Sequence, residues 1–336
     1  METGNTLQQP KTGFTMEGRD KIYLIGFLVG AGALLFLGRG LVQASALATW
    51  GLIFGATTAA AVLLVSLYRV QVELKSSRRQ LARKEAELSF ALEVQRALFP
   101  RHLPEKDGLE FAAVCIPARG ISGDYYDVIQ FPDGRLVFAI ADISGKGISA
   151  AILMANLQAL LRTLAETGLP PSEVCSRLNH HLHQVTDASK FATFFYAEWD
   201  SERRGLSYVN AGHYAPVLIG SCGGRRLDAG GFPLGMFDGT DFQTGELTLN
   251  CEDLLVLYSD GITEAMSARG EEFSERRLKD VIERHSAKAL SEIQARVLEA
   301  VRTWSGDEPD DDMTLLMVRA TKAVDVPGRK DEHMRT

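Results

Sequence analysis

The sequence predicts an α+β domain of stacked layers behind an apolar, helical N-terminal quarter. Three observations carry that reading. Strand-like runs between about residues 109 and 320 arrive in hairpins, with two helical stretches inserted early and two late. That order suits layered sheets and helices better than a doubly wound parallel sheet. Two long runs without a charged residue fall within the first 68 positions. Four acidic clusters sit where predicted strands begin or end: ISGDYYD at 121–127, ADISGKG at 141–147, YSDG at 258–261 and DDDMT at 310–314.

The N-terminal quarter begins with a polar tail, residues 1–21. Residues 22–38 and about 47–68 are each near the ~20 apolar residues that a helix needs to cross a bilayer. Their tandem placement, short connection and lack of amphipathic period predict a transmembrane hairpin over 22–68. A cleaved leader fits poorly, because a second span follows directly. Lys11, Arg19 and Lys21 precede the first run, and Arg69, Lys75, Arg78, Arg79, Arg83 and Lys84 follow the second. Only Arg39 lies between them. The asymmetry predicts a two-pass protein of the cytoplasmic (inner) membrane with both termini in the cytoplasm.

Residues 69–99 read as one helix, with no Gly or Pro before Pro100. Leu67, Leu74, Leu81 and Leu88 recur every seven residues, and Val70, Ala91 and Leu98 take companion positions that Ser77 and Lys84 interrupt. Two readings stand. One is a coiled-coil signalling linker that makes the chain a homodimer through 69–99. The other is a solvated amphipathic helix lying on its own domain.

Beyond Pro104, strands are predicted over 109–117 and 136–141, then helices over 147–166 and 172–185 with Pro170 and Pro171 between them. Strands resume at 191–199, 206–210 and 215–220, the first two joined by the turn-rich DSERRG. ELTL and DLLVLYS add two more, 276–285 and 290–304 read as amphipathic helices, and TLLMVRA closes the sheet. The layered domain spans about 100–321, and 322–336 reads as a disordered charged tail.

A net charge of −7 gives no general case for nucleic acid as a partner. Cys115, Cys175, Cys222 and Cys251 show no C-x-x-C spacing and read as small buried apolar residues in a reducing compartment.

The acidic clusters carry the chemistry. Asp142 ends the apolar run LVFAIAD, and the glycines of ISGKG behind it permit a tight turn that exposes the Ile143 carbonyl. Asp260 ends LLVLYSD and precedes Gly261; Asp311 stands just before TLLMV; Asp124 sits in a Gly-Asp turn with Tyr125, Tyr126 and Asp127 behind it. Converging carboxylates repel one another and are costly to bury unpaired. Hard divalent cations relieve both problems, which predicts a two-metal hydrolytic centre. Lys146 is read as a solvated turn residue, with phosphate binding as the alternative. His180, His181 and His183 have the wrong spacing for a metal pair on one helical turn. His213, in the NAGH turn, stands either near the site or as a structural hydrogen-bonding group.

Taken in order, ISGDYYD, IADISGKG, FATFFY, YVNAGHYAP, FPLGM, LYSDGITEA and DDDMTLL closely resemble the bacterial PP2C-like serine/threonine phosphatases of the SpoIIE/RsbU type. VQRALFP at 94–100 resembles the helix that introduces their catalytic domain, and the resemblance covers about 90–320. It implies a β-sandwich flanked by helical layers. It implies hydrolysis of phosphoserine or phosphothreonine on a regulatory protein, typically a STAS-fold anti-sigma-factor antagonist, by water activated between two Mn²⁺ or Mg²⁺ ions. It also implies residue roles. Asp142 would bridge both ions, the Ile143 carbonyl would bind the second, Asp260 and Asp311 would hold the first, and Asp124 would serve the second directly or through water. The family pattern places the last ligand three residues before Thr314, which selects Asp311 over Asp310 and Asp312. Ile121 and Ser122 stand where many relatives have Val-Gly. Two other readings compete: an inactive phosphatase-like membrane scaffold, against which the retained acidic set argues, and a phosphodiesterase or nuclease, whose metal-binding histidines and basic groove are not apparent.

Overall fold

Alternation along the strands builds this molecule, and the strand Leu136–Ile143 displays it most plainly. The computed structural model describes residues 18–41, 46–104, 108–118, 120–186, 189–220, 226–306 and 309–322. Most of the N-terminal tail, the C-terminal tail from 323 and Cys222 therefore lie outside the described residues. The chain divides into two compact units, 1–83 and 84–336.

In the first unit, α1 spans Gly18–Leu41 and α2 begins at Ala46. The second apolar run and the helical linker are not separate elements. They form one unbroken helix, α2, Ala46–Arg96, of 51 residues. By length and composition the apolar part of α2 can cross a membrane, and α1 holds a shorter apolar stretch, Ile25–Phe36. Phe36, Trp50, Phe54 and Val62 are exposed, so the described residues of this chain leave these apolar side chains uncovered. Leu67, Leu74, Leu81 and Leu88 are 40–59% exposed along the same helix.

The second unit holds two sheets. One runs β1 (Leu109–Ile116), β10 (Met313–Ala320), β9 (Leu254–Tyr258), β6 (Val217–Ile219), antiparallel throughout. The other runs β2 (Tyr125–Gln130), β3 (Leu136–Ile143), β4 (Ala192–Asp200), β5 (Gly205–Ala211), β7 (Gly230–Gly231), with β8 (Gly245–Thr248) also paired to β5. Helices α3 (Ile148–Glu166) and α4 (Pro171–Val185) cover the second sheet. A short α5 (Asp260–Thr263) leads to α6 (Ser274–His285) and α7 (Leu290–Ser305), which cover the first.

Strand side chains alternate between faces. In β3, Val137, Ala139, Ala141 and Ile143 pack under α3 and α4, while Leu136, Phe138 and Ile140 enter the layer between the sheets. In β10, Leu316, Val318 and Ala320 join that central layer, and Met313, Leu315 and Met317 face α6 and α7. This two-sided burial explains why LVFAIAD and TLLMV read as continuous apolar runs. The result is a β-sandwich with a helical layer on each side, the expected class.

Three local expectations need correction. YYDVIQ was read only as part of an acidic turn, yet it forms β2, paired with β3 from Tyr125↔Ala141 to Gln130↔Leu136. Asp127 disguised it. That residue is 0% exposed and is satisfied chiefly by a partner distant in sequence: Arg162 donates to both carboxylate oxygens at 2.8 and 2.9 Å, and the neighbouring Tyr125 hydroxyl donates at 2.6 Å. Gly230–Gly231 and the one-turn α5 were likewise unforeseen. Among the cysteines, Cys175 is buried, Cys115 is half-buried and Cys251 is exposed, so the uniform expectation of burial fails at Cys251.

The Asp127–Arg162 pair yields a stability prediction. Arg162→Met keeps the aliphatic packing but strands a buried carboxylate, which costs about 3 kcal/mol. Urea unfolding should reveal that loss, with most of it recovered in the double variant Arg162→Met, Asp127→Asn.

Candidate metal centre

The central apolar layer gives way to carboxylates at one end of the sandwich. Asp142 continues the face of Leu136, Phe138 and Ile140. Asp124 immediately precedes β2, in phase with Tyr126 and Val128. Ser259 follows β9 in phase with Leu255 and Leu257, and Thr314 enters β10 in phase with Leu316 and Val318. The same alternation that fills the core thus delivers polar groups from four strands to its mouth.

Their charges are felt. Burial, followed by the charges of Asp260, Asp311 and Asp312, pushes the Asp142 carboxyl up to about 7, with Lys146 acting the other way. Burial and then the Asp142 charge hold Asp124 well above the ordinary carboxylate range. Asp260 is raised by burial, then by Asp311 and Glu264. Desolvation and like charge both disfavour the ionised form. The Oδ2 atom of Asp124 is buried without a hydrogen-bond partner among the described residues. An all-oxygen donor set with an unpartnered, desolvated carboxylate oxygen fits a hard divalent cation.

Glycines let the acidic loops approach closely. A Cβ on Gly123 would stand 3.2 Å from the Ile143 carbonyl oxygen, so the loop carrying Asp124 abuts the predicted carbonyl ligand. A Cβ on Gly261 would fall 2.1 Å from the Asp312 carbonyl oxygen, so only glycine allows the turn behind Asp260 to lie against 311–312.

The structure thus brings Asp124, Asp142, Ile143, Asp260 and Asp311 into one region, but does not close them. Among the described residues, no three acidic, His or Cys groups stand close enough to share one ion. Lys146 Nζ lies 2.8 Å from Asp311 Oδ2 instead. Lys146 is therefore an exposed turn lysine that is also a cleft residue, lining about 150 Å³ of space with Asp260, Glu264, Asp310 and Asp311.

The histidines sort as follows. His180 contacts Asp238, His181 contacts Asn156, and His183 contacts the Gly235 carbonyl, all structural roles around α4. His213 is buried, and burial lowers it to about 4, so it is neutral at physiological pH. Its Nδ1 is 2.8 Å from Thr193 Oγ1, and Thr193 is the β4 residue directly opposite Asp142. Both readings of His213 hold together: its bond is structural and it stands one residue from the site.

Sequence reasoning weighs Asp312 only as an alternative ligand and misses its structural role. Its Oδ1 accepts from Ala118 N at 2.8 Å, and its Oδ2 accepts from Gly123 N at 2.7 Å and Ser122 Oγ at 2.9 Å. This carboxylate ties Ala118, Ser122 and Gly123 to the start of β10. The tripled aspartate was the available signal, but its division of labour needs the loop donors.

Comparison with known proteins agrees with this architecture. Residues 132–321 match the family model described as Stage II sporulation protein E (SpoIIE). Phosphoserine phosphatase RsbU of Bacillus subtilis is 32% identical over 257 residues, covering 76% of this chain and 73% of RsbU. Phosphoserine phosphatase RsbP of the same organism is 30% identical over 54% of this chain and 45% of its own length. Among solved structures, the RsbU and RsbW domains of a Mycobacterium tuberculosis protein match with a TM-score of 0.58 and 28% identity, over 66% of this chain and 62% of that one. The SiaA-PP2C domain of Pseudomonas aeruginosa matches with a TM-score of 0.61 and 21% identity, over 71% and 98%, a likeness of fold. The chain belongs to the SpoIIE family, and its layered domain is a PP2C-type phosphatase domain.

Proposed function

We propose that this chain removes phosphate from phosphoserine or phosphothreonine on a regulatory protein, with a STAS-fold anti-sigma-factor antagonist as the substrate class. The observation that carries the proposal is the convergence of Asp124, Asp142, Asp260 and Asp311 at the open end of the sandwich, each on a different segment. The relatives RsbU and RsbP are named phosphoserine phosphatases.

Two divalent ions, Mn²⁺ or Mg²⁺, are proposed there. Asp142 would touch both, Asp260 and Asp311 the first, and the Ile143 carbonyl and Asp124 the second. When bound, such ions lower the pKa of water and neutralise charge on a phosphoryl group. The chain's own residues make the site receptive. Burial of Asp124 and Asp142 makes their ionised forms costly until a cation compensates. Lys146 occupies one oxygen of Asp311, and an ion that took that oxygen would free the Lys146 ammonium at the cleft mouth to attract phosphate. The core behind them fixes the spacing, since Ala139, Ile140 and Ala141 are fully buried.

The apolar, exposed surfaces of α1 and α2 support a proposed two-pass membrane anchor over 22–68, with both termini cytoplasmic. A helical linker over 69–99 would pair two chains through its seven-residue leucine repeat and lead into the phosphatase domain over 100–321.

Three outcomes test these readings. Full-length protein in detergent should release phosphate from a phosphoserine-bearing STAS protein in the presence of Mn²⁺. Asp142→Asn should lose at least a hundredfold; a folded wild type that neither turns over nor binds Mn²⁺ would favour the scaffold reading. The second outcome concerns pH. A carboxyl whose folded pKa is raised binds its proton more tightly in the folded state, so stability falls as pH rises between the unfolded value near 3.8 and the folded value near 7. Metal-free protein should therefore melt at a higher temperature at pH 5.5 than at pH 7.5, and Mn²⁺ should raise the melting temperature more at pH 7.5. Asp142→Asn should flatten that dependence; an unchanged slope in this variant would place the effect elsewhere. Finally, the full chain should stay with membranes through an alkaline carbonate wash, whereas a chain lacking 1–68 should be released.

A further inference from the structure

We propose that Gln95 is a positioning residue for the metal loop, holding Ser122 and through it Asp124. This rests on the reading of Asp124 as a metal ligand. Gln95 lies in the last turn of α2 and is only 5% exposed, although a glutamine on a helix surface is ordinarily solvated. Its side-chain amide makes a two-point bond to one residue: Nε2 donates to the Ser122 carbonyl at 2.7 Å, and Oε1 accepts from Ser122 N at 3.0 Å. This is the geometry of a peptide group in a strand ladder, supplied by a side chain. Both backbone polar groups of Ser122 are thereby committed to α2.

The Ser122 hydroxyl carries the constraint onward. Its oxygen accepts from Asp124 N at 3.0 Å and donates to Asp312 Oδ2 at 2.9 Å. Two hydrogen-bonded steps therefore connect Gln95 to the backbone of Asp124. Asp312 fixes the same loop from the other side through Ala118 N and Gly123 N. The loop is gripped between a helix residue and a strand-start carboxylate, and the buried Asp124 carboxylate is presented from that grip. Glutamine is specific here. Glutamate would set an oxygen against the Ser122 carbonyl, and asparagine is one methylene too short to reach both groups.

The test is a double-variant cycle on the full chain in detergent, reading Mn²⁺ affinity by calorimetry and the melting temperature of the metal-free protein. Gln95→Met keeps length and apolar volume but removes both bonds. Loss of a group that orients a metal ligand weakens metal affinity about tenfold or more. We expect that loss in the wild-type background and its disappearance in Asp124→Asn, where no carboxylate remains to be positioned. An equal loss in both backgrounds, or a fall in melting temperature with Mn²⁺ affinity unchanged, overturns the proposal and leaves Gln95 a packing residue. If Asp124→Asn alone leaves Mn²⁺ affinity intact, both this proposal and the ligand reading of Asp124 fall; if it weakens binding while Gln95→Met does not, only this proposal falls. Should Gln95→Met not fold, Ser122→Ala carries the same cycle, because it spares the backbone pair and removes only the hydroxyl that reaches Asp124 and Asp312.

Discussion

The apolar layer between the two sheets is the constraint on which the rest of the structure depends. Fully buried Phe138, Ile140, Leu255, Leu257, Leu316 and Val318 meet there, from strands far apart in the chain. Each such side chain contributes about 1.5–3 kcal/mol by leaving water. Two like charges about 4 Å apart near a protein surface repel by about 4 kcal/mol at an effective dielectric of about 20. Splaying the sheets to relieve one such repulsion would expose several of these side chains, which costs more than it recovers. The acidic cluster cannot relieve itself by splaying the sheets. The unfavourable charge remains where the strands put it and is available to a cation.

The reading of the sequence succeeded where burial is two-sided. LVFAIAD, DLLVLYS and TLLMVRA are strands covered on both faces, so composition alone marks them as β3, β9 and β10. The helices over 147–166, 172–185, 276–285 and 290–304 carried an apolar period and lie within two residues of α3, α4, α6 and α7. β2 escaped because a charged residue at its centre broke the pattern, and Arg162, which makes that charge tolerable, is 35 positions away. The division between a membrane span and a linker was drawn where composition changes at Arg69. The backbone does not register that change, because helix geometry tolerates apolar and charged residues alike.

The site was legible as a set of residue types at strand ends, and less so as an arrangement. Asp142, Asp260 and the aspartates at 310–312 border apolar runs, Asp124 sits in a Gly-Asp turn, and the family resemblance picked Asp311 from its neighbours. Which of three consecutive aspartates faces which neighbour depends on donors at Ala118 and Gly123, and no local pattern encodes them. Lys146 shows the same limit: a turn lysine is ordinary until the fold sets Asp311 2.8 Å away. Gln95 lay inside the quoted VQRALFP motif, but its burial became visible only with Ser122 against it.

The place of β10 in its sheet has a consequence for how the protein is made. The last strand of the domain is not at an edge; it lies between β1 and β9, pairing Ala320 with Leu109 across about two hundred residues of intervening chain. In the first sheet β1 has no partner until residues 313–320 have been synthesised. A nascent chain emerging from the ribosome can form its helices and the hairpins of the other sheet, but it carries β1 without its neighbour. The acidic segment 310–312 arrives in the same final step. Structural completion and assembly of the acidic cluster are thus simultaneous, and a chain cut short by premature termination has neither.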